Sequence, residues 1–275
     1  PTKTYIQKLH AQIDDLRHRY HVLNDPEVTD AMYEGLMDEL KKIEETYPEF
    51  VTKQSPTQRI GSAPIAGFKK ITHQVRQWSF HDAFTEEDVT SWQERNLKIL
   101  EKALGKRPDD LSYTTELKID GLHIVLTYKK GILDTAATRG DGKVGEEVTQ
   151  NIKTIQTIPL ILKKPVDIVV EGEVWLSAKQ LEKINKQREK DGEPLYANPR
   201  NVAAGTIRQL DSKIVAKRKL SFTAYDISLG DIPKTQQIEL DMLKTLGFKI
   251  DNYTKVCTSI KEIVSFWHKW EKKKE

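Results

Sequence analysis

Residues 113–138 read as two extended strands joined by a tight turn, and no other pattern constrains the fold as much. The first strand is predicted over 113–128, and its second half is mostly apolar, as expected for a strand that packs into a core. Lys129-Lys130-Gly131 supplies the turn, because glycine adopts the backbone conformations that tight turns require. The second strand is predicted over 132–138. The segment therefore predicts a β-hairpin and, with it, an antiparallel sheet.

The first strand of this hairpin contains three charged residues, in the sequence Glu116-Leu117-Lys118-Ile119-Asp120-Gly121. Successive side chains of a strand point to opposite faces, so the charged residues share one face and the apolar ones share the other. A lysine in this position is a candidate nucleophile if burial or nearby cations help it to lose its proton. A surface strand with a ladder of ion pairs fits the same pattern, so the segment alone leaves both interpretations open.

A third strand is predicted over 168–176, where two carboxylates interrupt an apolar run. Glu171 and Glu173 share one face of this strand, and Gly172 removes side-chain bulk from the other. Carboxylates are costly to bury unless they are paired or bind a ligand. Glu173 is therefore a candidate binding residue.

Three arginines lie beside segments rich in small residues. Arg139 follows the second strand and precedes Gly140-Asp141-Gly142, a turn whose backbone can approach a ligand closely. Arg200 and Arg208 flank a run of small residues, at a spacing that allows both to face one anion. Surface arginines beside a turn and along an irregular helix fit these patterns equally well.

The N-terminal part is predicted to be a helical hairpin. Apolar residues three or four apart form one stripe over 6–23 and a second over 32–47. Asn24-Asp25-Pro26 is predicted to end the first helix, and Thr29 or Asp30 to cap the second. Residues 52–67 are rich in Ser, Pro and Gly, which predicts a linker. The predicted organisation is a helical module over 1–51, a linker over 52–67 and a larger domain over 68–275.

The larger domain is predicted to combine the strands with flanking helices. Helices are predicted over 86–104 with Thr85 as N-cap, over 177–189 with Ser177 as N-cap, over 238–246, and near the C-terminus, and a further strand over 220–227. The predicted fold class is α+β: a small helical hairpin plus a mainly antiparallel sheet with helices around it.

Composition narrows the class of protein. Of the 275 residues, 37% are hydrophobic and 31% are charged, which is typical of a globular chain rather than a disordered one. No apolar stretch approaches the roughly 20 residues of a membrane-spanning helix, and the first residues do not resemble a signal peptide. The single cysteine, Cys257, excludes an intramolecular disulfide and a cysteine-cluster zinc site, which favours the reducing cytoplasm. The net charge of +3 permits nucleic-acid binding without indicating it.

Several short motifs occur together in the order found in one known family. They are Tyr20-His21 with Asp30-Ala31-Met32-Tyr33-Glu34, Ser55-Pro56-Thr57, Glu116 to Gly121, Ala137-Thr138-Arg139-Gly140-Asp141-Gly142, Glu171-Gly172-Glu173-Val174, and Ala197-Asn198-Pro199-Arg200-Asn201 through Arg208. Together they resemble the bacterial NAD⁺-dependent DNA ligases, and the resemblance covers nearly the whole chain. A single motif of this kind is weak evidence, whereas the ordered set is very specific.

The resemblance implies a reaction centred on Lys118. This lysine would attack the adenylyl phosphorus of NAD⁺, expel nicotinamide mononucleotide (NMN) and hold AMP as a phosphoramidate, with Mg²⁺ assisting. The AMP would later pass to the 5′-phosphate of nicked double-stranded DNA. Asp120 would tune the protonation of the lysine or help to hold the metal. Glu116 would contact the adenine, Glu173 the ribose hydroxyls, and Arg139 would also line the nucleotide site.

The resemblance also assigns residues around the nucleotide. Ser79-Phe80 occupies the place of a Ser-Leu pair beside the nucleotide in the family. Arg200 and Arg208 would contact phosphate, either of AMP or of nicked DNA, where a guanidinium can bond two oxygens at once.

The helical module would hold the nicotinamide half of the dinucleotide. Tyr20 and Tyr33 would stack on nicotinamide, while His21 and Asp30 would hold its ribose and phosphate. Glu34 stands where an aspartate is usual in the family, which changes the reach of that carboxylate by one methylene.

The sequence departs from the family pattern in its later part. The family has two further lysines on later strands, and the chain lacks the motif that carries one of them, so the larger domain is predicted to be incomplete at its C-terminus. Without those lysines the pyrophosphate charge is less well neutralised, which favours slow self-adenylation, weak DNA binding and no nick sealing by this chain alone. A monomer is expected. Two other functions fit the motifs: a non-catalytic module that binds a dinucleotide or a DNA end, and an ATP-dependent nucleotidyltransferase.

Overall fold

A computed structural model of the chain describes residues 3–25, 27–60 and 63–273, without the side chain of Asp30. Three sequence predictions lie outside these residues. They are Pro26 as the end of the first helix, Gly61-Ser62 within the linker, and the carboxylate of Asp30 as a binding group.

The described residues combine helices with short and long strands. The helices are α1 (Lys3–His18), α2 (Asp30–Thr46), α3 (Glu86–Leu104), α4 (Thr149–Ile152), α5 (Ala178–Lys190), α6 (Pro199–Ile207), α7 (Ser212–Arg218), α8 (Gln236–Leu246) and α9 (Ile260–Glu271). A π-helical turn covers Arg19–Leu23, and 3₁₀ turns cover Pro48–Phe50 and Pro56–Arg59. The strands are β1 (Lys70–Thr72), β2 (Tyr113–Thr115), β3 (Leu122–Lys129), β4 (Ile132–Thr138), β5 (Val144–Glu146), β6 (Ile168–Trp175), β7 (Ser221–Leu229) and β8 (Lys255–Cys257). These strands pair antiparallel, which confirms the predicted α+β class.

The chain forms two compact units. Unit 1 comprises residues 1–77 and 119–250, and unit 2 comprises residues 78–118 and 251–275. Unit 1 thus contains the N-terminal helices and most of the strands, whereas unit 2 contains α3, α9, β2 and β8. The chain passes from one unit to the other after Gln77, after Lys118 and after Ile250.

Unit 1 is built on a four-stranded antiparallel sheet in the order β4-β3-β6-β7. β3 and β4 form the predicted hairpin, and Lys130 and Gly131 take left-handed conformations at its turn, with φ of 49° and 74°. One face of the sheet contributes Ile124, Val170 and Phe222 to the core, and each of these is completely buried. Apolar residues of α5, α6, α7 and α8 pack against them. Burying one such apolar side chain stabilises the folded state by about 1.5–3 kcal/mol, so this core stabilises unit 1. The opposite face of the sheet is the one available to polar side chains.

α1 and α2 form the predicted helical hairpin within unit 1. Ile6, Leu9 and Ile13 of α1 are buried against Leu40 of α2. The side chain of Thr29 accepts a hydrogen bond from the third backbone amide of α2, which confirms it as the N-cap.

The helical chain continues beyond α1 as a π-helical turn, whereas the sequence predicted one regular helix through residue 23. Arg19–Leu23 forms this turn, and Asn24 ends it in a left-handed conformation with φ of 55°. A π-helical turn has more residues per turn than an α-helix, so its residues depart from the apolar stripe of α1. Tyr20 and Leu23, both in this turn, are 46% and 48% exposed. π-helical turns often occur at functional sites, and this one carries two predicted site residues.

Two buried arginines join the N-terminal residues to the remainder of unit 1. Arg59 lies in the 3₁₀ turn within the predicted linker and donates to the carbonyls of Lys153, Ile155 and Ile158 at 3.1–3.3 Å. Arg17 of α1 donates to another carbonyl of the same segment. Burial lowers the pKa of the Arg59 guanidinium to about 9, which leaves it charged at neutral pH. Part of the predicted linker is therefore packed and hydrogen-bonded.

Unit 2 combines α3 and α9 with the short pairing of β2 and β8. α3 begins with the predicted N-cap, and the side chains of Thr85 and Asp88 each accept the other residue's backbone N–H. His268 of α9 lies 3.0 Å from a carboxylate oxygen of Glu86 and 3.2 Å from one of Glu271. The hydrogen bond to Glu86, and then that to Glu271, raise the pKa of His268.

Residues 116–121 do not form the strand that the sequence predicted. β2 ends before this segment and β3 begins after it, and no described strand pairs with it. The backbone N–H of Leu117 donates instead to the carboxylate of Asp251 at 2.8 Å. The proposed sharing of one strand face by the three charged residues is therefore wrong, because the segment is a loop in which the chain leaves unit 2 after Lys118.

Candidate functional site

The face of the four-stranded sheet opposite the core is polar. β6 places Glu171 and Glu173 on this face, as the sequence predicted, and His123 of β3 is the register partner of Glu173. Gly172 points to the core side, where an added Cβ would lie 2.2 Å from the ring of Phe222. Glu171 is 7% exposed and Glu173 is half-buried. Carboxylates at this depth require hydrogen-bond donors or cations as partners.

Tyr225 belongs to this polar face because of an irregularity in β7. The register between β6 and β7 shifts between Glu171 and Gly172, which leaves Tyr225 as an extra residue of β7. Its hydroxyl lies 3.0 Å from Nδ1 of His123. Burial, and then the charges of Glu173 and Glu171, raise the pKa of Tyr225 well above its usual range. The hydroxyl is therefore a protonated donor at neutral pH.

Arg139 begins the glycine-rich turn that the sequence singled out. Gly140 and Gly142 take left-handed conformations, with φ of 58° and 89°, and a Cβ at Gly140 would lie 1.8 Å from the carbonyl oxygen of Val144. The carboxylate of Asp141 accepts two backbone N–H groups inside the turn, and these bonds lower its pKa. The Nε atom of Arg139 is buried and has no hydrogen-bond partner among the described residues. Such a donor fits an arginine whose partner is a ligand.

Arg200 and Arg208 lie at opposite ends of α6 and pair with different carboxylates. Nη1 of Arg200 is 3.5 Å from Oδ1 of Asp120, and both side chains are exposed. Nε of Arg208 is 3.2 Å from Oε2 of Glu146 on β5. Eight residues of helix rise about 12 Å, so the two arginines are placed to contact separate groups. Of the predicted site residues, α6 therefore brings Arg200 to Asp120 and leaves Arg208 near β5.

Lys118 lies in unit 2, within the loop over 116–121 and directly after Leu117, whose backbone N–H donates to Asp251. Its side chain is exposed, and Nζ lies 5.8 Å from the ring centroid of Phe80. The structure thus brings together two predicted site residues that are far apart in sequence. Phe80 is 71% exposed, Ser79 beside it is exposed, and Glu116 in the lysine loop is half-buried.

The helical module carries the residues predicted to hold the nicotinamide half. Tyr20 and His21 lie in the π-helical turn with their rings edge to face and their centroids 4.7 Å apart. Tyr33 of α2 packs partly against the apolar residues of the hairpin, and burial raises the pKa of its hydroxyl. Glu34 is exposed. Within the described residues no ring contact joins Tyr20 to Tyr33, so each tyrosine presents a separate surface.

Four polar residues of these surfaces were missed by the sequence analysis. They are Gln77, His123, Tyr225 and Asp251. His123 and Tyr225 interrupt apolar strands, which is the signal that identified Glu173, so the same argument could have found them. Gln77, which is 2% exposed, and Asp251 lie outside regular elements, where no sequence period marks a buried polar residue.

Within residues 3–25, 27–60 and 63–273, no three His, Cys, Asp or Glu side chains are grouped so as to hold a metal ion. Nor does any helix in those ranges have the length and apolar character needed to cross a membrane.

Two known protein families match the chain, one over its N-terminal residues and one over the remainder. A family described as the DNA ligase-like, N-terminal NAD⁺-binding domain matches residues 1–61, and the NAD-dependent DNA ligase adenylation domain matches residues 65–275. The class is therefore an adenylation domain preceded by an NAD⁺-binding domain. This result agrees with the resemblance implied by the motifs.

Curated relatives named DNA ligase match almost the whole chain. One from Thermotoga petrophila is 42% identical over 272 residues, which cover 98% of this chain and 39% of that protein. One from Halothermothrix orenii is 45% identical over 277 residues, covering 98% and 40%. One from Shouchella clausii is 41% identical over 273 residues, covering 98% and 39%. The chain belongs to the NAD-dependent DNA ligase family, and it spans 39–40% of the length of these relatives.

Proposed function

We propose that this chain is the part of an NAD⁺-dependent DNA ligase that takes AMP from NAD⁺. Nζ of Lys118 attacks the adenylyl phosphorus, a nitrogen–phosphorus bond forms, and the bond to the bridging oxygen breaks. NMN leaves with that oxygen, and the lysine amine gives up a proton. The AMP remains on Lys118 until it passes to the 5′-phosphate of nicked DNA. The setting is the cytoplasm, where the family acts in replication and repair.

The observation that carries this proposal is the placement of Arg139 and Glu173 on either side of the start of β3. Glu173 is the register partner of His123, and Arg139 directly follows Thr138, which is the register partner of Ile124. The buried Nε of Arg139 has no partner among the described residues, and Glu173 offers a half-buried carboxylate. A cation for phosphate beside an acceptor for ribose hydroxyls is the chemistry that an adenosine nucleotide requires.

The loop over 116–121 and helix α6 contribute further residues to the proposed site. Asp251 fixes the backbone just before Lys118, and the loop leads directly through Asp120 into β3. Glu116, Ser79 and Phe80 are proposed to line the adenine side, and Arg200 and Arg208 to contact phosphates.

The carboxylate of Asp120 suits a magnesium ion. Mg²⁺ is commonly held by one or two carboxylates together with substrate phosphates and water, and the exposed carboxylate of Asp120 would supply one of these ligands. When bound, the metal would neutralise charge on the phosphates.

The helical module is proposed to bind the NMN half. Tyr20 presents an exposed ring next to His21 in the π-helical turn, and Tyr33, Asp30 and Glu34 lie on α2. Contacts between this chain and nicked DNA are proposed to be weak. A monomer is the proposed state.

Intact-protein mass spectrometry after incubation with NAD⁺ and Mg²⁺ tests the reaction. The wild-type chain is expected to gain the mass of one AMP, and Lys118→Ala to gain none. Lys129→Ala, which removes another exposed lysine, serves as the matched control and is expected to behave like wild type. An adduct that persists in Lys118→Ala would show that the nucleophile is a different residue.

Two further outcomes decide between the remaining functions. A gain with ATP but not with NAD⁺ would support an ATP-dependent nucleotidyltransferase and contradict the proposal. No adduct, together with a melting temperature raised by NAD⁺, would support a binding module without chemistry, because a ligand specific for the folded state stabilises it by mass action.

A further inference from the structure

His123 is a largely buried polar side chain to which the proposed function gives no role. Its side chain is 15% exposed, and three residues from three parts of unit 1 surround the ring. The hydroxyl of Tyr225 lies 3.0 Å from Nδ1. A carboxylate oxygen of Glu171 and the side-chain oxygen of Gln77 lie 3.3 Å and 3.2 Å from Nε2.

These partners determine which ring nitrogen carries hydrogen. The side-chain amide nitrogen of Gln77 donates to the carbonyl of Val75 at 2.9 Å, so the oxygen of Gln77 faces His123. Both groups near Nε2 are acceptors, and Nε2 must therefore carry a hydrogen. The hydroxyl of Tyr225, which keeps its proton at neutral pH, forms a hydrogen bond with Nδ1. Each nitrogen of His123 is thus fully used inside the protein.

The contacts of His123 lead to both charged groups of the proposed nucleotide site. The backbone N–H of Gln77 donates to the carbonyl of Gly142 at 2.8 Å, in the turn that begins with Arg139. That turn and Gln77 approach so closely that a Cβ at Gly142 would lie 2.6 Å from the carbonyl oxygen of Gln77. On the other side, Glu173 is the register partner of His123 on β6. His123 is therefore the side chain that connects the Arg139 turn to β6 and β7.

We propose that His123 is a positioning residue for the adenosine half of NAD⁺. By tying Gln77 to β6 and β7, it keeps Arg139 and Glu173 at the separation that one nucleotide needs. His123 itself touches no substrate, since both of its nitrogens are engaged within the protein. This inference rests on the proposed function, because that function supplies the roles of Arg139 and Glu173.

Calorimetric titration with AMP alone and with NMN alone tests this role in the whole chain. His123→Ala is expected to weaken AMP binding about tenfold, the change expected when one buried hydrogen-bonding partner is lost. NMN binding is expected to be unchanged, because the helical module does not depend on this network. His123→Gln retains a donor toward Gln77 and Glu171 and is expected to recover part of the AMP affinity.

A double-mutant cycle separates positioning from general damage to the fold. Tyr225→Phe removes only the hydroxyl that Nδ1 accepts, so its effect on AMP affinity is expected to disappear in the His123→Ala background. Additive effects, or an equal loss of AMP and NMN binding in His123→Ala, would overturn the role of His123. Unchanged AMP affinity in His123→Ala would overturn it too. Wild-type chain that binds neither AMP nor NAD⁺ would instead overturn the proposed function itself.

Discussion

At the scale of single residues, the polar face of the sheet places carboxylates close together at partial burial. Asp226 of β7 is the register partner of Glu171 on β6. Burial, and then the charge of Glu171, raise the pKa of Asp226. A carboxyl group whose pKa is raised on folding binds a proton more tightly in the folded state. The contribution of Asp226 to stability is therefore largest at low pH. It is lost as the pH rises from the ordinary pKa of 3.8 through the raised pKa of the folded state.

Removing this titration by Asp226→Asn is expected to raise the melting temperature by a few degrees at pH 8. The amide has no charge to lose or gain, so the difference from wild type should shrink as the pH falls toward 4, where Asp226 regains its proton. Thermal unfolding at a series of pH values measures this dependence. Asp109→Asn, at an exposed position, is the control and is expected to show no such trend. A difference that is the same at every pH would contradict the assigned cause.

The residues of the site differ in how far the sequence could predict them. Glu173 was found because a carboxylate inside an apolar strand needs a partner, and the structure places it half-buried on the polar face. The same rule applies to Tyr225, but its face depends on a register shift that only the pairing with β6 reveals. Gln77 and Asp251 act through contacts with residues distant in sequence, and no local pattern predicts those.

At the scale of elements, the start of β3 leaves no space for a side chain. A Cβ at Gly121 would lie 2.1 Å from the carbonyl oxygen of Val174 and 2.9 Å from Cγ of Glu173. Both atoms belong to β6, and one of the two is backbone, which cannot rotate away. The close approach of β3 to β6 thus explains a glycine at the last position of the loop over 116–121.

Gly121→Ala is expected to reduce the rate of AMP-adduct formation at least tenfold. The added methyl displaces either the loop or Glu173, and overpacking of this kind also costs about 1–3 kcal/mol of stability. Adduct formation with NAD⁺ is followed by mass over time. Gly67→Ala is the matched control, since nothing lies within 4 Å of its added Cβ, and it should react like wild type. Adduct formation at the wild-type rate in Gly121→Ala would show that the contact is unimportant.

Most elements could be predicted because their signals are local. The N-caps Thr85 and Ser177 mark the starts of α3 and α5, and the apolar runs mark β3, β4 and β6. The segment 116–121 alternates charged and apolar residues, which predicts a strand. A strand also needs a second strand to hydrogen-bond with, and no described strand pairs with this segment. A single π-helical turn is too short to show a periodic pattern in the sequence. The apolar stripe of α1 therefore predicted a regular helix through residue 23, where the structure has a π-helical turn.

At the scale of the whole molecule, Arg59 is one of the side chains that attach the N-terminal residues within unit 1. Its guanidinium is buried and satisfies three carbonyl groups that face away from water. A buried carbonyl that loses its partner costs about 1–3 kcal/mol.

Arg59→Ala is therefore expected to lower the free energy of unfolding by about 3 kcal/mol, measured by urea denaturation. Lys129→Ala removes an exposed ion pair with Asp134 in the same unit and is expected to change it by less than about 1 kcal/mol. Equal, small effects of both substitutions would show that the buried arginine is not a main attachment.

Composition marked residues 52–67 as a boundary, and the predicted division of the chain into a module, a linker and a larger domain remains a prediction. Composition carries no sign that unit 2 is assembled from residues 78–118 and 251–275. Such a discontinuous unit depends on pairing between distant strands, and that information lies in tertiary contacts.

The pairing of β2 with β8 has a consequence for the order of events on the ribosome. Thr115 and its partner Lys255 are 140 residues apart, so at about 5–20 residues per second the partner is synthesised roughly 7–28 s later. During that interval every strand of the four-stranded sheet emerges and can pair. Leu117 and Asp251, whose hydrogen bond shapes the loop, are 134 residues apart, so this bond also forms only after a similar interval. The loop that contains Lys118 therefore acquires its hydrogen bond to Asp251 late in synthesis, after all four strands of the sheet have been made.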